Sequence, residues 1–164
     1  YELALKDTIR IGIRYNRQIK DMPNTALYYY NQKSGWTFLP TINLPNRLIM
    51  SSTLLSFDAI GIIQDTDPPF VRRVYPANGG KFHYKDVRTI SVIADDYLSG
   101  ISSDEQTMSM KLDGEPVRYA FQPLKKELYY YLPTPLNAGE HTLEYLLSDQ
   151  AGNQVSGSTT FTVD

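Results

Sequence analysis

The strongest constraint on the fold is a two-residue alternation of apolar and polar side chains that recurs along the chain. In residues 9–15, three isoleucines and a tyrosine alternate with arginine and glycine. Because successive side chains of a β-strand point to opposite faces, this period indicates a strand with one face on a core and the other in water. The same alternation returns in residues 108–113 and 142–148, and more weakly in residues 90–94.

Turn-forming residues separate these runs at intervals of about 8–12 residues, which is typical of β-sandwiches. Asn78-Gly79-Gly80 and Asn137-Ala138-Gly139 are two examples, and Asp113-Gly114 is a strong signal for a two-residue hairpin. No long run carries a convincing helical period. The sequence therefore predicts an all-β fold.

Two consecutive prolines, Pro68 and Pro69, divide the patterned sequence. Proline lacks the backbone donor of a sheet ladder, so no central strand can pass through this point. We predict two β-sandwich domains in tandem: residues 1–66 as a small domain and residues 67–164 as an immunoglobulin-like domain with about seven strands. A domain as small as the first is marginal alone, so we expect either further strands before Tyr1 or support from the second domain.

The alternation and the turns place the individual strands. In the first domain we expect strands around Ile9–Tyr15, Ala26–Tyr30, Trp36–Leu39, Leu48–Ser52 and Ser56–Ile63. In the second we expect A at Phe70–Tyr75, B at Val87–Asp95, C at Thr107–Asp113, C′ at Val117–Gln122, E at Glu127–Leu132, F at His141–Asp149 and G at Gln154–Val163. The predicted core is the apolar face of these strands: Ile90, Val92, Met108, Met110, Leu112, Leu143, Tyr145, Leu147 and Phe161.

Composition excludes several classes of protein. The chain of 164 residues has no cysteine, which excludes disulfide frameworks, thiolate zinc sites and a cysteine nucleophile. Its net charge of -2 provides no electrostatic footprint for nucleic acid. No window approaches the ~18 apolar residues of a membrane-spanning helix. We therefore expect neither a nucleic-acid partner nor membrane insertion.

Several short motifs in the two predicted domains resemble those of known bacterial β-domains. At the domain boundary and in the second domain they are Asp65-Thr66-Asp67-Pro68-Pro69, Tyr75-Pro76-Ala77-Asn78-Gly79-Gly80, residues 94–101, Leu112-Asp113-Gly114, residues 139–143 and residues 148–153. These resemble bacterial immunoglobulin-like modules, of the fibronectin-III or cadherin type, in large exported proteins. Residues 27–30, 35–40 and 57–61 are similar to the small β-domain that often precedes such modules.

Both domains together resemble the C-terminal accessory region of secreted bacterial proteins, including some zinc peptidases of the M23 class. The zinc-binding His/Asp motifs of that class are absent from this sequence. The resemblance implies a non-catalytic accessory or spacer region of an exported or cell-surface protein, whose partner is the rest of the parent chain. Any enzymatic activity, such as that of a secreted peptidase, would belong to another part of the parent. The alternative is a module that binds a cell-wall polymer, a glycan or another protein.

Acidic residues are predicted to gather at one end of the second domain, because the B–C, C′–E and F–G loops share a pole in this strand order. We expect Asp65, Asp67, Asp95, Asp96, Asp149 and Asn153 to converge there, at the junction of the domains. Calcium prefers six to eight oxygen ligands of this kind, so one hypothesis is a calcium ion that stiffens the domain pair. The alternative is that these side chains cap their own turns. Apart from that ion, we predict no cofactor.

Aromatic residues raise the hypothesis of sugar binding. Tyr28, Tyr30 and Trp36 could form a platform for sugar rings, but tyrosine also suits half-buried strands, so we expect core or cross-strand packing instead. The two Tyr-Tyr-Tyr runs cannot present three rings to one ligand, because alternate residues face opposite ways. The only histidines, His83 and His141, lie on separate elements, so we predict no catalytic site.

Overall fold

The computed structural model describes residues 8–54 and 59–164, and its chain divides into two compact units, Tyr1–Thr66 and Asp67–Asp164. Strands make up 55% of the structure and helices only 5%, which confirms the predicted all-β fold class. Helical structure is limited there to a four-residue helix, α1 (Arg17–Lys20), and a 3₁₀ turn, Pro123–Lys125. None of these described helices has the length and apolar character that crossing a membrane would require.

The first unit contains two three-stranded antiparallel sheets. Its strands are β1 (Ile9–Arg14), β2 (Thr25–Asn31), β3 (Gly35–Leu39), β4 (Ile42–Leu44), β5 (Ile49–Leu54) and β6 (Ala59–Gln64). The sheet orders are β1-β5-β4 and β3-β2-β6. A small hydrophobic cluster is built from both sheets, with Leu27 and Leu39 from one and Met50 and Leu54 from the other.

The second unit contains nine strands in two sheets. They are β7 (Phe70–Tyr75), β8 (Lys81–Phe82), β9 (Thr89–Asp95), β10 (Ser109–Leu112), β11 (Glu115–Pro116), β12 (Ala120–Gln122), β13 (Glu127–Tyr131), β14 (Gly139–Ser148) and β15 (Gln154–Val163). One sheet has the order β11-β10-β14-β15-β8 and the other β12-β13-β9-β7. With β7 as A, β9 as B and β13 as E, this is the immunoglobulin-like order, in which C, F and G form the opposite sheet.

The alternation in the sequence explains the core of the second unit. Ile90 and Val92 on β9 face Leu143 and Leu147 on β14 and Phe161 on β15, and all five are fully or almost fully buried. All nine residues of the predicted core belong to this cluster, seven of them buried and Leu112 and Tyr145 partly buried. Strands A and G have the predicted bounds, Phe70–Tyr75 and Gln154–Val163.

The prediction for residues 117–122 is wrong in one respect. We expected a C′ strand there, hydrogen-bonded to C through the Asp113-Gly114 turn. That turn is present, with both residues at positive φ, but the strand returning beside β10 is only Glu115–Pro116. Residues 120–122 instead pair with β13 in the opposite sheet. The Val117 N–H still donates to the Met110 carbonyl at 3.0 Å, and only after it does the chain cross to the other sheet.

Short strands account for the other differences. The pattern did not identify β4, β8 or β11, which have two or three residues and are too short to show a period. The last predicted strand of the first unit, Ser56–Ile63, is observed as Ala59–Gln64, and residues 55–58 lie outside the described part of the chain. Phe57 and Asp58, two residues of the family resemblance, fall in that gap.

Candidate functional site

Three loops of the second unit share one pole, as the strand order requires. The β9–β10 and β14–β15 loops are joined by hydrogen bonds from Gln150 to Gly100 (N to O, 2.9 Å) and to Ser99 (Nε2 to O, 2.8 Å). The β12–β13 loop reaches the same pole, where the Ala94 N–H donates to the Lys126 carbonyl at 3.1 Å. We call this end of the second unit the acidic pole, because it contains Asp95, Asp96 and Asp149.

Asp96 organises the β9–β10 loop with one of its two carboxylate oxygens. Its Oδ1 accepts hydrogen bonds from the backbone N–H groups of Leu98 (2.9 Å) and Gly100 (2.7 Å), with the Ser99 hydroxyl at 3.5 Å. This is the turn-capping role that the sequence offered as the alternative to calcium. The other oxygen, Oδ2, is buried and accepts no hydrogen bond within the described part of the chain.

Asp149 caps the β14–β15 loop in the same way. Its Oδ1 accepts from the N–H groups of Gly152 (2.6 Å) and Asn153 (2.8 Å), and its Oδ2 accepts from the Asn153 side-chain amide at 2.7 Å. Asp149 is 2% exposed, so these bonds are made away from water. Asn153 therefore donates to the Asp149 carboxylate through both its backbone N–H and its side-chain amide nitrogen.

Asp95 forms ion pairs with two basic side chains. Its carboxylate forms ion pairs with Arg72, at 2.6 Å, and with Lys126. Burial alone would raise the pKa of Asp95, but the hydrogen bonds from Lys126 and the Asp96 N–H, with the charges of Lys126 and Arg72, lower it. The side chains of Arg72 and Lys126 are 60% and 44% exposed, so we expect these pairs to add little stability. Lys126 lies on the β12–β13 loop, so its ion pair with Asp95 links that loop to the end of β9.

The predicted absence of a cofactor needs correction. Asp96 and Asp149 of the second unit belong to a group of carboxylates that could hold a metal ion, and Asp149 is buried. Asp65 lies in the first unit, where it is also buried. Capping and metal binding need not be alternatives, because a carboxylate has two oxygens, and Asp96 caps its turn with only one of them. Asp67 is exposed, and Asp67 and Asp95 are not members of the group. That the bound ion would be calcium stays a prediction.

The opposite pole of the second unit contains a histidine–carboxylate pair. His141 Nδ1 lies 2.7 Å from Asp113 Oδ2, and its Nε2 lies 2.9 Å from the Asn137 carbonyl oxygen. Burial would lower the pKa of His141, but the Asn137 carbonyl and the Asp113 carboxylate outweigh it and raise the pKa. His83, the other histidine, is exposed and bonds locally to the Lys85 N–H. Sequence reasoning missed the pairing of His141 because Asp113 is 28 residues away.

A groove lies on the outer face of the β12-β13-β9-β7 sheet, opposite the core. It has a volume of about 540 Å³ and lies wholly within the second unit. We call it the tyrosine groove and define it by its lining residues: Arg73, Tyr75, Thr89, Ser91, Gln122, Lys125, Glu127, Tyr129 and Tyr131. Sequence reasoning did not find it, because its residues come from all four strands.

The aromatic residues that the sequence singled out in the first unit pack against each other. Tyr30 and Trp36 are cross-strand partners whose rings meet edge to face, with centroids 5.4 Å apart, and Tyr28 pairs with Phe38 in the same way. Tyr28 is fully buried, whereas Tyr30 and Trp36 are each a little over one third exposed. The three residues therefore do not form the open platform that a sugar ring would need.

No protein-family model and no curated protein matches this chain. Among solved structures, CopC from Methylosinus trichosporium OB3b is 20% identical, with 58% of this chain and 93% of CopC covered at a TM-score of 0.46. PcoC, a methionine-rich copper resistance protein from Escherichia coli, is 18% identical, with 60% of this chain and 100% of PcoC covered at 0.48. Dimeric latent PorU from Porphyromonas gingivalis is 12% identical, with 99% of this chain but 22% of PorU covered at 0.46.

At these scores the comparisons carry no inference about function. None of the three names describes a zinc peptidase of the M23 class, so that part of the resemblance stays a prediction.

Proposed function

We propose that this chain is a non-catalytic accessory region of a larger exported bacterial protein, in which its β-sandwich units set the spacing between other parts. The observation that carries the proposal is the path of the chain through the second unit. The unit begins with β7 at the acidic pole, where Phe70 pairs with Asp95. Its last strand, β15, ends at the opposite pole, where Val163 pairs with Gly139.

A module crossed from pole to pole adds its full length to the protein that contains it. Strand β15 has ten residues, which at ~3.4 Å per residue span roughly 30 Å. A module whose two ends lay at the same pole would add little length. The path of the second unit therefore suits a spacer better than an inserted side domain.

A spacer must also keep its shape, and the second unit has the means to do so. Its core is a single cluster of twelve buried hydrophobic residues between the sheets. At the acidic pole, Asp96 and Asp149 use their carboxylates to hold two loops in fixed turns. Packing between the sheets and capping of the β9–β10 and β14–β15 loops therefore both favour a rigid second unit.

The proposal is tested by exchange in the full-length protein that contains this chain. Residues 67–164 are deleted in one variant and replaced in another by an unrelated immunoglobulin-like sandwich with ends at opposite poles. A spacer predicts that deletion impairs the protein's activity and that the replacement restores it. Activity that survives deletion, or that the replacement fails to restore although it folds, would contradict the spacer role.

A further inference from the structure

We propose that the tyrosine groove of the second unit binds a short segment of an uncharged, polyhydroxylated glycan chain. This inference does not rest on the spacer role, since a spacer needs no ligand. It is carried by three features of the groove: its shape, its unpaired polar groups and its mixture of charges.

The shape of the groove comes from small residues between large ones. Ser91 on β9 is the cross-strand partner of both Tyr75 on β7 and Tyr129 on β13. A serine between two tyrosines leaves a trough with a hydroxyl floor and aromatic walls. One register step along, Thr89 lies opposite Tyr131, so the trough continues along the sheet.

The walls are suited to a ligand with apolar faces and polar edges. Tyr129 and Tyr131 lie on the same face of β13, with ring centroids 5.3 Å apart at an angle of 76°. Tyr131 is 69% exposed, so much of its ring is open to a ligand beside Tyr129. The C–H face of a sugar ring can pack on such a ring while its hydroxyls reach the polar groups around it.

The polar groups around the trough are free to bind a ligand. Arg73, Gln122, Lys125 and Glu127 form no side-chain hydrogen bond or ion pair with any other residue in the described ranges 8–54 and 59–164. Their neighbours in sequence differ sharply, because Arg72 and Lys126 are both paired with Asp95. Several unpaired polar groups that converge on one concave surface are typical of a ligand site.

The charges of these groups favour a neutral partner. Arg73 and Lys125 are cationic and only donate, whereas Glu127 is anionic and only accepts. A polyanion would meet Glu127, and a cationic peptide would meet Arg73 and Lys125. Sugar hydroxyls both donate and accept, so they can satisfy all three groups. The groove volume of about 540 Å³ is also within the range of ligand clefts.

The experiment is a binding titration of the whole chain against four probes. They are cellohexaose and hexa-N-acetylchitohexaose as neutral glycans, polygalacturonate as an anionic glycan and a proline-rich peptide as another ligand of aromatic grooves. We expect saturable binding of at least one neutral hexamer. Removal of the exposed ring by Tyr131→Ala should weaken that binding by about tenfold, as for an aromatic side chain at the centre of an interface.

Two further variants separate the groove from the rest of the molecule. Tyr97→Ala removes a tyrosine that is 82% exposed and outside the groove, so it should leave the affinity unchanged. Tyr131→Phe keeps the ring, so it should retain most of the affinity that Tyr131→Ala loses. Near-identical circular dichroism spectra will show that these exposed positions do not affect folding.

Three outcomes would overturn the proposal. The first is that neither neutral hexamer binds at millimolar concentration. The second is that polygalacturonate or the peptide binds while the neutral hexamers do not, which would assign the groove to another ligand. The third is that Tyr131→Ala and Tyr97→Ala bind a hexamer equally well, which would place glycan binding elsewhere on the chain.

Discussion

In the second unit, twelve buried hydrophobic residues form one cluster between two sheets, whereas the cluster in the described part of the first unit has five. Strand content does not explain the contrast, since the first unit also has two sheets. Its strands bury less, because β4 is exposed along its whole length and β1 is half-buried at best. A sandwich of about 65 residues has too little volume to bury more, and its stability is expected to be correspondingly small.

The largest effect is expected from breaking the larger core. Phe161 is 1% exposed, and Phe161→Ala should lower the free energy of unfolding of the second unit by about 3–5 kcal/mol through the cavity it leaves. Hydrogen exchange of the β14 and β15 amides, followed by mass spectrometry, measures this loss. Ser158→Ala, at an exposed position of the same strand, is the control, and an equal loss there would contradict a packing effect.

The same kind of change in the smaller core tests how much stability the first unit has in reserve. Met50 is 1% exposed, and Met50→Ala should cost about 2–5 kcal/mol. Because a core of this size provides little more than that, we expect the first unit to lose its cooperative unfolding transition. The only tryptophan, Trp36, lies in this unit, so its fluorescence reports the loss directly. A normal transition in Met50→Ala would show that the first unit is more stable than its core indicates.

One strand glycine in each unit refines the comparison. A Cβ at Gly157 on β15 would collide with the ring of Tyr145, whereas a Cβ at Gly12 on β1 would meet only Ile49 Cγ2, at 3.4 Å. We expect Gly157→Ala to destabilise the second unit by about 1–3 kcal/mol through overpacking. Gly12→Ala should be neutral or slightly stabilising, because alanine loses less backbone entropy on folding.

Thermal melts of both variants measure this difference. The double variant Gly157→Ala/Tyr145→Ala is the matched control, because removing the ring should make the added methyl group nearly neutral. If the methyl group costs as much without the ring as with it, the collision with Tyr145 is not the cause.

The smallest effect concerns pH, and it should appear in the second unit, which contains both histidines. Folding raises the pKa of His141, so the protonated form favours the folded state. This contribution is fully present below the unfolded pKa of about 6.5 and is lost as the pH rises through the higher pKa of the folded state. Thermal melts across this range should therefore show the second unit losing stability with rising pH.

Two substitutions assign that dependence to His141. His141→Gln should remove it, whereas His83→Gln, at the exposed histidine, should leave it intact. The unfolding of the first unit, followed by Trp36 fluorescence, provides an internal reference without a histidine. A pH dependence that persists in His141→Gln would show that another group is responsible.

Local patterns carried much of the information about the second unit. The alternation predicted strands A and G with their observed bounds and placed the residues of the core on the correct faces. It could do so because a strand's two faces follow from its own sequence. The same local chemistry explains the Asp113-Gly114 turn and the capping by Asp96 and Asp149.

Pairing between residues far apart in the chain was harder to predict from the sequence. Residues 120–122 could pair with either sheet on the evidence of their own pattern, and only the structure shows that they pair with β13. Asp95 and Asp96 are adjacent and chemically identical, yet one pairs with Arg72 and Lys126 and the other caps a loop. The side chains of consecutive residues point in different directions and meet different residues, and the sequence does not show which residues those are.

By itself, then, the sequence determined the all-β class, the faces of the long strands and the chemistry of the turns. Only the tertiary structure decided that Ser91 lies between Tyr75 and Tyr129, that Asp113 meets His141 and that Arg73 and Glu127 are left unpaired while their neighbours are not. The physical reason is range. Alternation and capping act over a few residues, whereas the groove and the ion pairs depend on strand order and register, which bring together residues tens of positions apart.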